Sequence, residues 1–369
     1  MSLITTLIIL TLGIALLCAI DLAFVAWAYE LEDRPQRIDV VTADGWTVTA
    51  WHRAAEARPG ASREKRVPVV LCHGLANNHS FMEFRGDQNL AKFLSSVGFD
   101  CYSLDLRGAG DTRAPDEGPW DATVDDHVRF DLPALVDEIS RRSGSPKVVW
   151  IGHSLGGVVA LAAASTTLKD RIAALITIGS PVYFSFPRRL TWLMRLACAL
   201  APWGQFNATV LKLIAPFAGR TPAPAIANAT ANLKNIEPIA QRYLVANVFA
   251  PMWKGVLTQL EGWVLHDRFA STDATTDYRA GVATLRMPIL VIGGTMDHLA
   301  PPAATTRFFE LVQSPVRELA LLQDYGHGDL VIGARAHLEV YPLVEKFLRG
   351  VTPSPAPVGE GWGEGQSRS

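Results

Sequence analysis

Several things are scarce in this 369-residue chain, and each scarcity removes a class of function. There are four cysteines, Cys18, Cys72, Cys101 and Cys198, and they stand far apart. Neither a disulfide framework nor a C-x-x-C redox or zinc motif can be built from them. Charge of one sign is not in excess: 34 Lys and Arg face 36 Asp and Glu, for a formal net charge of -2. That balance lacks the basic footprint of a nucleic-acid binder. No His, Cys or acidic cluster has metal-ligand spacing. The glycine-rich run Arg107-Gly108-Ala109-Gly110-Asp111 has neither Walker nor dinucleotide spacing and reads as a tight turn, with Asp105 and Arg107 expected to pair across it. Apolar residues, by contrast, make up 49%, enough for one large domain or a domain carrying an insertion.

The most informative stretch is Val148–Gly157, VVWIGHSLGG. Its first four residues form an apolar run of the kind that fills a strand buried on both faces. Gly152-His153-Ser154-Leu155-Gly156 then fits G-x-S-x-G, and VVALAAAS continues as a helix. The five-residue pattern also arises by chance; the strand before it and the helix after it give it weight. A serine on so sharp a turn needs neighbours without side chains. Gly152 and Gly156 provide that room, and Gly157 lets the helix start close to the sheet.

A serine nucleophile needs a base, an acid and an oxyanion hole. His327, in Asp324-Tyr325-Gly326-His327-Gly328-Asp329 after the last expected strand, is the candidate base. Asp297, a few residues past the strand 288–294, is the candidate acid. The order Ser154, Asp297, His327 is the serine–acid–histidine order. Asp324 and Asp329 lie too close in sequence to His327 to serve it, and Asp329 is expected to brace the loop. His298, beside Asp297, is not its partner; His73 and His127 read as structural. The backbone N–H groups of Leu75, after His73-Gly74, and of Leu155 are the expected oxyanion donors.

Residues 3–29 are almost wholly apolar, long enough for a bilayer core of about 30 Å, with Trp27 and Tyr29 where interfacial aromatics sit. A single-pass membrane anchor over 1–29 is expected. Cleavage as a signal peptide at Ala26-Trp27-Ala28 is the alternative, although no Lys or Arg precedes the apolar run. Arg34 and Arg37 mingle with Glu30, Glu32 and Asp33 and set no orientation. Strands are expected at 37–41, 46–51, 67–71, 101–106, 148–151, 172–178, 288–294 and 317–322. Helices are expected at 89–97, over 121–141 with a fresh start at Pro133 capped by Asp131, at 303–312 and at 338–348. Strands alternating with helices imply a mostly parallel α/β sheet. The aromatic and proline-rich stretch 182–280 breaks that rhythm and is expected to form a helical cap. Its aromatics serve mainly its own core, and Arg188 and Arg189 are expected to be solvated. The loop 54–66 is expected to be solvated and the tail 350–369 disordered.

As a set, HGLA at 73–76, DLRGAGDT at 105–112, GHSLGG at 152–157, GGTMDHLAP at 293–301 and YGHGDLVIG at 325–333 resemble the α/β-hydrolase fold family. The match covers about 35–349. His327-Gly328-Asp329 with Gly333, and Asp131-Leu132-Pro133-Ala134, are similar to its acid-lipase branch. The resemblance implies an eight-stranded, mostly parallel sheet flanked by helices, a cap (182–280) after the sixth strand, a catalytic domain over 35–181 and 281–349, no cofactor, and hydrolysis of lipid esters. Three readings stay open: an ester hydrolase for hydrophobic acyl groups, an acyltransferase using the same acyl-enzyme, and a non-catalytic binding protein on the same fold. Acyl chain length, alcohol group and oligomeric state are not fixed by these residues.

Overall fold

Alternation along the central strands sorts the apolar residues into two layers. In Val69–Cys72 (β3), Val70 and Cys72 face one core while Val69 and Leu71 face the other. In Val148–His153 (β5), Val148 and Trp150 go to the first core, and Val149 and Ile151 to the second. A strand that is apolar at every position can only be satisfied by cover on both faces. The computed structural model describes residues 2–28, 35–56, 67–116, 121–184, 192, 205–206, 212, 215–220 and 230–352.

Among the described residues the main sheet has eight strands. Besides β3 and β5 these are Gln36–Val41 (β1), Thr47–Arg53 (β2), Cys101–Asp105 (β4), Ile172–Ile178 (β6), Ile289–Gly294 (β9) and Arg317–Leu322 (β10). The spatial order is β1-β2-β4-β3-β5-β6-β9-β10. The pairs β1–β2 and β2–β4 are antiparallel, and every other pair is parallel. Each expected strand is present; two keep their bounds unchanged and the others have ends moved by one or two residues. Between β6 and β9 lies the inserted segment, where two-residue strands Gln205–Phe206 (β7) and Met252–Trp253 (β8) pair, and helices Pro238–Tyr243 and Lys254–His266 pack. Phe184, Trp263, Phe269 and Tyr278 pack on one another in tilted and edge-to-face contacts and join the core of the first layer. Phe186, Arg188, Arg189 and Trp203 lie outside the described residues, as do Tyr29–Arg34, 57–66 and the tail from 353 onward.

Three local expectations are corrected. Asp105 and Arg107 do not pair. Strand β4 ends at Asp105 and the chain turns at once, so the two side chains part. Fully buried Asp105 accepts from Trp51 Nε1 at 2.8 Å, the His79 backbone N–H at 2.7 Å and His79 Nδ1 at 2.8 Å. Burial works against its charge, but His79 outweighs it and holds the carboxyl at about 2. Arg107 instead binds Asp131 at 2.7 Å and Asp44 at 2.7 Å. Asp131, for its part, caps nothing. It sits in helical conformation at the end of a π-turn, His127–Asp131, that runs on into helix Leu132–Ser143. Pro133 is tolerated there because the widened turn needs no bond from its missing N–H. Lastly, the closing helix is broken into Ala336–Glu339 and Tyr341–Val351, with Pro342 at the start of the second piece. Gly350 and Val351 therefore belong to a helix and not to the tail.

The Asp44–Arg107–Asp131–His127 chain ties the β1–β2 turn to the helix beneath β5. Removing one partner of a buried ion pair strands the other charge. Asp131→Ala is expected to lower stability by about 3 kcal/mol, roughly 6–10 °C in Tm. Thermal unfolding followed by circular dichroism checks this, and an unchanged Tm contradicts the network's role.

Candidate active site

Five neighbouring strands deliver their carboxyl ends to one place. At the end of β5, Ser154 has φ 51° and ψ -120°, a conformation L-residues rarely adopt. The surroundings enforce it. A Cβ on Gly152 would come within 2.3 Å of the Gly157 nitrogen, and one on Gly156 within 2.3 Å of the Cys72 carbonyl oxygen. The Ser154 N–H donates to the Ile178 carbonyl at 2.9 Å, pinning the turn to β6. Trp150 Nε1 donates to the Gly156 carbonyl at 3.1 Å from below. Helix Leu155–Ala164 starts immediately and is buried throughout.

Past β9, Asp297 is 2% exposed, and past β10, His327 is 5% exposed. His327 Nδ1 donates to Asp297 Oδ2 at 2.8 Å. The other carboxylate oxygen accepts from the N–H groups of Leu299 and Ala300, each at 2.8 Å. Burial opposes the charge on Asp297, but His327 and these donors prevail and keep its carboxyl below the usual carboxylate range. Gly179, at the end of β6, fits between them: a Cβ there would lie 3.1 Å from His327 Nδ1 and 3.2 Å from Asp297 Oδ2.

The loop after β3 crosses over the serine, where a Cβ on Gly74 would lie 3.0 Å from Ser154 Cβ. Half-buried Leu75 follows on this loop, and Leu155 is the first residue of the serine helix. A small cleft beside them is lined by His73, Leu75, Leu106, His127, Leu155 and Trp253. His73 orders the loop. Its Nδ1 donates to the Gly74 carbonyl at 2.8 Å, and its Nε2 accepts from the Leu106 N–H at 3.5 Å. His127 is held by Asp131 at 2.8 Å and buried. His298 is exposed and Asp324 lies on the surface. Buried Asp329 braces the histidine loop, accepting from the Gly326 N–H at 3.0 Å. Among the described residues no group of three or more His, Cys, Asp or Glu is placed to hold a metal ion.

Sequence reasoning passed over three residues. Asn232 and Asn235 reach from the inserted segment to the histidine loop. Asn235 Nδ2 donates to Asp329 Oδ2 at 2.7 Å and Asn232 Nδ2 to the Asp324 carbonyl at 2.8 Å. Nothing in a polar run such as Ala231-Asn232-Leu233-Lys234-Asn235 signals that contact. The third is His153. Its ring packs at a tilt against those of Phe81 and His327, and its Nε2 donates to the His327 carbonyl at 3.3 Å.

A strained serine between a buried strand and a helix, with an Asp–His pair past neighbouring strand ends, is the strand–turn–helix setting of the G-x-S-x-G turn in α/β-hydrolase-fold proteins. The chain belongs to the α/β-hydrolase fold family, whose model matches residues 67–334. It is 32% identical to a triacylglycerol lipase, "Triacylglycerol lipase 2" of Arabidopsis thaliana, over 187 residues, 46% of this chain and 44% of that protein. It is 24% identical over 304 residues to "Poly(3-hydroxyalkanoate) polymerase subunit PhaC" of Haloferax mediterranei, 76% of this chain and 58% of that protein. The chain thus spans about half the length of these curated relatives. A soluble variant of the monoglyceride lipase of Saccharomyces cerevisiae superposes with a TM-score of 0.61 at 18% identity, covering 88% of this chain and 99% of that one.

Burial, and next the nearby His327, push His153 down to about 3, so it is neutral at physiological pH. The unfolded chain protonates it near 6.5, so folding stability is whole above that pH and falls as pH drops toward 3. The slope is at most about 1.4 kcal/mol per pH unit. His153→Gln is expected to flatten the decline of Tm between pH 6.5 and 4.5. An unaltered slope means that His153 is not held neutral in the folded state.

Proposed function

We propose that the chain hydrolyses carboxylic esters of hydrophobic or lipid-like acyl groups through Ser154, His327 and Asp297. The observation that carries this reading is the serine held in the strained turn beside the buried Asp297–His327 pair. Asp297 takes the Nδ1 proton side of the imidazole, which leaves Nε2 for Ser154. In the first half-reaction the Ser154 oxygen attacks the ester carbonyl and its proton passes to His327. The N–H groups of Leu75 and Leu155 stabilise the oxyanion, and the imidazolium returns the proton to the departing alcohol. Water, deprotonated by His327 in turn, then releases the acid. Asp297 fixes the tautomer and stabilises the charged ring throughout.

Lipase and esterase relatives support hydrolysis as the outcome. Transfer of the acyl group to a hydroxyl is the second reading, favoured by the resemblance to a poly(3-hydroxyalkanoate) polymerase subunit over three quarters of this chain. The two share every step up to the acyl-enzyme. Helix Leu3–Ala28 contains a 22-residue span, Leu3–Phe24, apolar and long enough to cross a membrane. We take it as a single-pass anchor that keeps the enzyme beside its substrate.

Ser154→Ala is expected to lower kcat on nitrophenyl esters by about 10⁴-fold or more, and Asp297→Asn by about 10³–10⁴-fold. Asp324→Asn should leave the rate within about twofold, because surface changes away from a site are near neutral. If Asp324→Asn is the crippled variant, the acid has been misassigned. With a competing alcohol present, a hydrolase returns mainly free acid. Predominance of the new ester establishes the transferase reading instead.

A further inference from the structure

The apolar helix Leu3–Ala28 contains one charge, Asp21, three residues short of the end of its membrane-length span. The span is about 33 Å long at 1.5 Å per residue, and three residues amount to about 4.5 Å. Asp21 therefore falls at the edge of a bilayer's hydrocarbon. An ionisable residue in such a span is costly and demands a partner. Here the partners come from the inserted segment. Asp21 Oδ1 lies 3.0 Å from Arg220 Nη2, and Asp21 Oδ2 lies 4.0 Å from Arg242 Nε. Asp21 and Arg242 are mostly covered, with side chains 15% and 12% exposed. The helix packs on Ala215–Phe217, Pro238–Tyr243 and Leu244–Val248, while the N-terminal part of the hydrophobic span is mostly exposed.

These contacts lead directly to the candidate site. The carbonyl of Val248 accepts from the Asn78 N–H at 3.0 Å, and the Ala250 N–H donates to the Ala76 carbonyl at 2.8 Å. The docked segment is thus hydrogen-bonded to the loop that carries Leu75. Phe217, 45% exposed, stands on the docked face beside Arg220.

We propose that Asp21, ion-paired with Arg220 and facing the covered Arg242, docks the membrane helix onto the inserted segment and holds that segment against the lipid surface, so that the site draws its ester from the bilayer. The inference rests on the anchor reading above. It also opposes cleavage after Ala28, which would leave Arg242 covered without its counter-charge. A helix made to be discarded needs no fitted acid.

The test uses the full chain in phosphatidylcholine vesicles. Asp21→Leu lengthens the apolar span and deletes the ion pair; Asp21→Glu keeps the charge. With a nitrophenyl palmitate substrate dissolved in the bilayer, Asp21→Leu is expected to lower kcat/KM about tenfold, chiefly through KM, as effective concentration is lost. Water-soluble nitrophenyl acetate should be hydrolysed at the unaltered rate, and Asp21→Glu should recover most of the loss. An unchanged bilayer rate, or equal losses on both esters, overturns the proposal. A second measurement does not depend on activity. A polarity-sensitive dye on Phe217→Cys, in a Ser154→Ala and Cys198→Ser background, is expected to be quenched by headgroup-labelled lipid, and less so once Asp21→Leu is added. Quenching that ignores Asp21, or membrane-purified protein lacking residues 3–28, also overturns it. If no ester is hydrolysed at all, the catalytic reading fails while the dye still decides the docking.

Discussion

The backbone at Ser154 is held in a left-handed conformation that a serine alone would not choose. Such a conformation costs on the order of 1–3 kcal/mol and persists only where the surroundings overdetermine it. Three constraints do so here. Strand β5 is fixed between β3 and β6, the next residue must open a buried helix, and the glycines at 152 and 156 are pressed against backbone atoms within 2.3 Å of where a Cβ would sit. Relaxing the turn would pull the helix from the sheet, so the strain at one residue is balanced by the packing of two cores.

The strand order explains why the remaining parts meet there. Parallel strands β3, β5, β6, β9 and β10 send their carboxyl ends to the same edge. Each contributes one part: the Gly74–Leu75 crossing, Ser154, the gap left by Gly179, Asp297 and His327. The elements are tied by backbone bonds as well, since the Thr295 N–H donates to the Leu322 carbonyl and the Met296 N–H to the Tyr325 carbonyl. The histidine loop is held from below by His153 and from the side by Asn232 and Asn235. A buried carboxylate at Asp329 collects those side contacts, which is why a loop rich in glycine keeps one shape.

Much of this was legible in the residues, for identifiable reasons. An apolar run such as VVWIG leaves a buried strand no alternative, and the glycine spacing announces the turn at Ser154. Asp297 could be singled out as the partner of His327 because it stands just past a strand, while Asp329 is too near in sequence and binds Gly326 and Asn235 instead. Side-chain partners at turns were less legible. Asp105 and Arg107 look paired in sequence, yet the chain bends between them, and their actual partners come from residues 24 to 63 positions away. Asp131 before Leu132-Pro133 looks like a cap, yet a buried arginine claims it. The role of Asn232 and Asn235 depends on where the inserted segment lands, which no local pattern encodes.

The central claim is that Ser154 alone is activated, by the His327–Asp297 pair. The most direct measurement is labelling of the folded chain with a fluorophosphonate, followed by mass spectrometry of its peptides. The account predicts one adduct, on Ser154, that disappears in His327→Ala. No adduct in correctly folded protein, or an adduct on another residue that persists in Ser154→Ala, would contradict it.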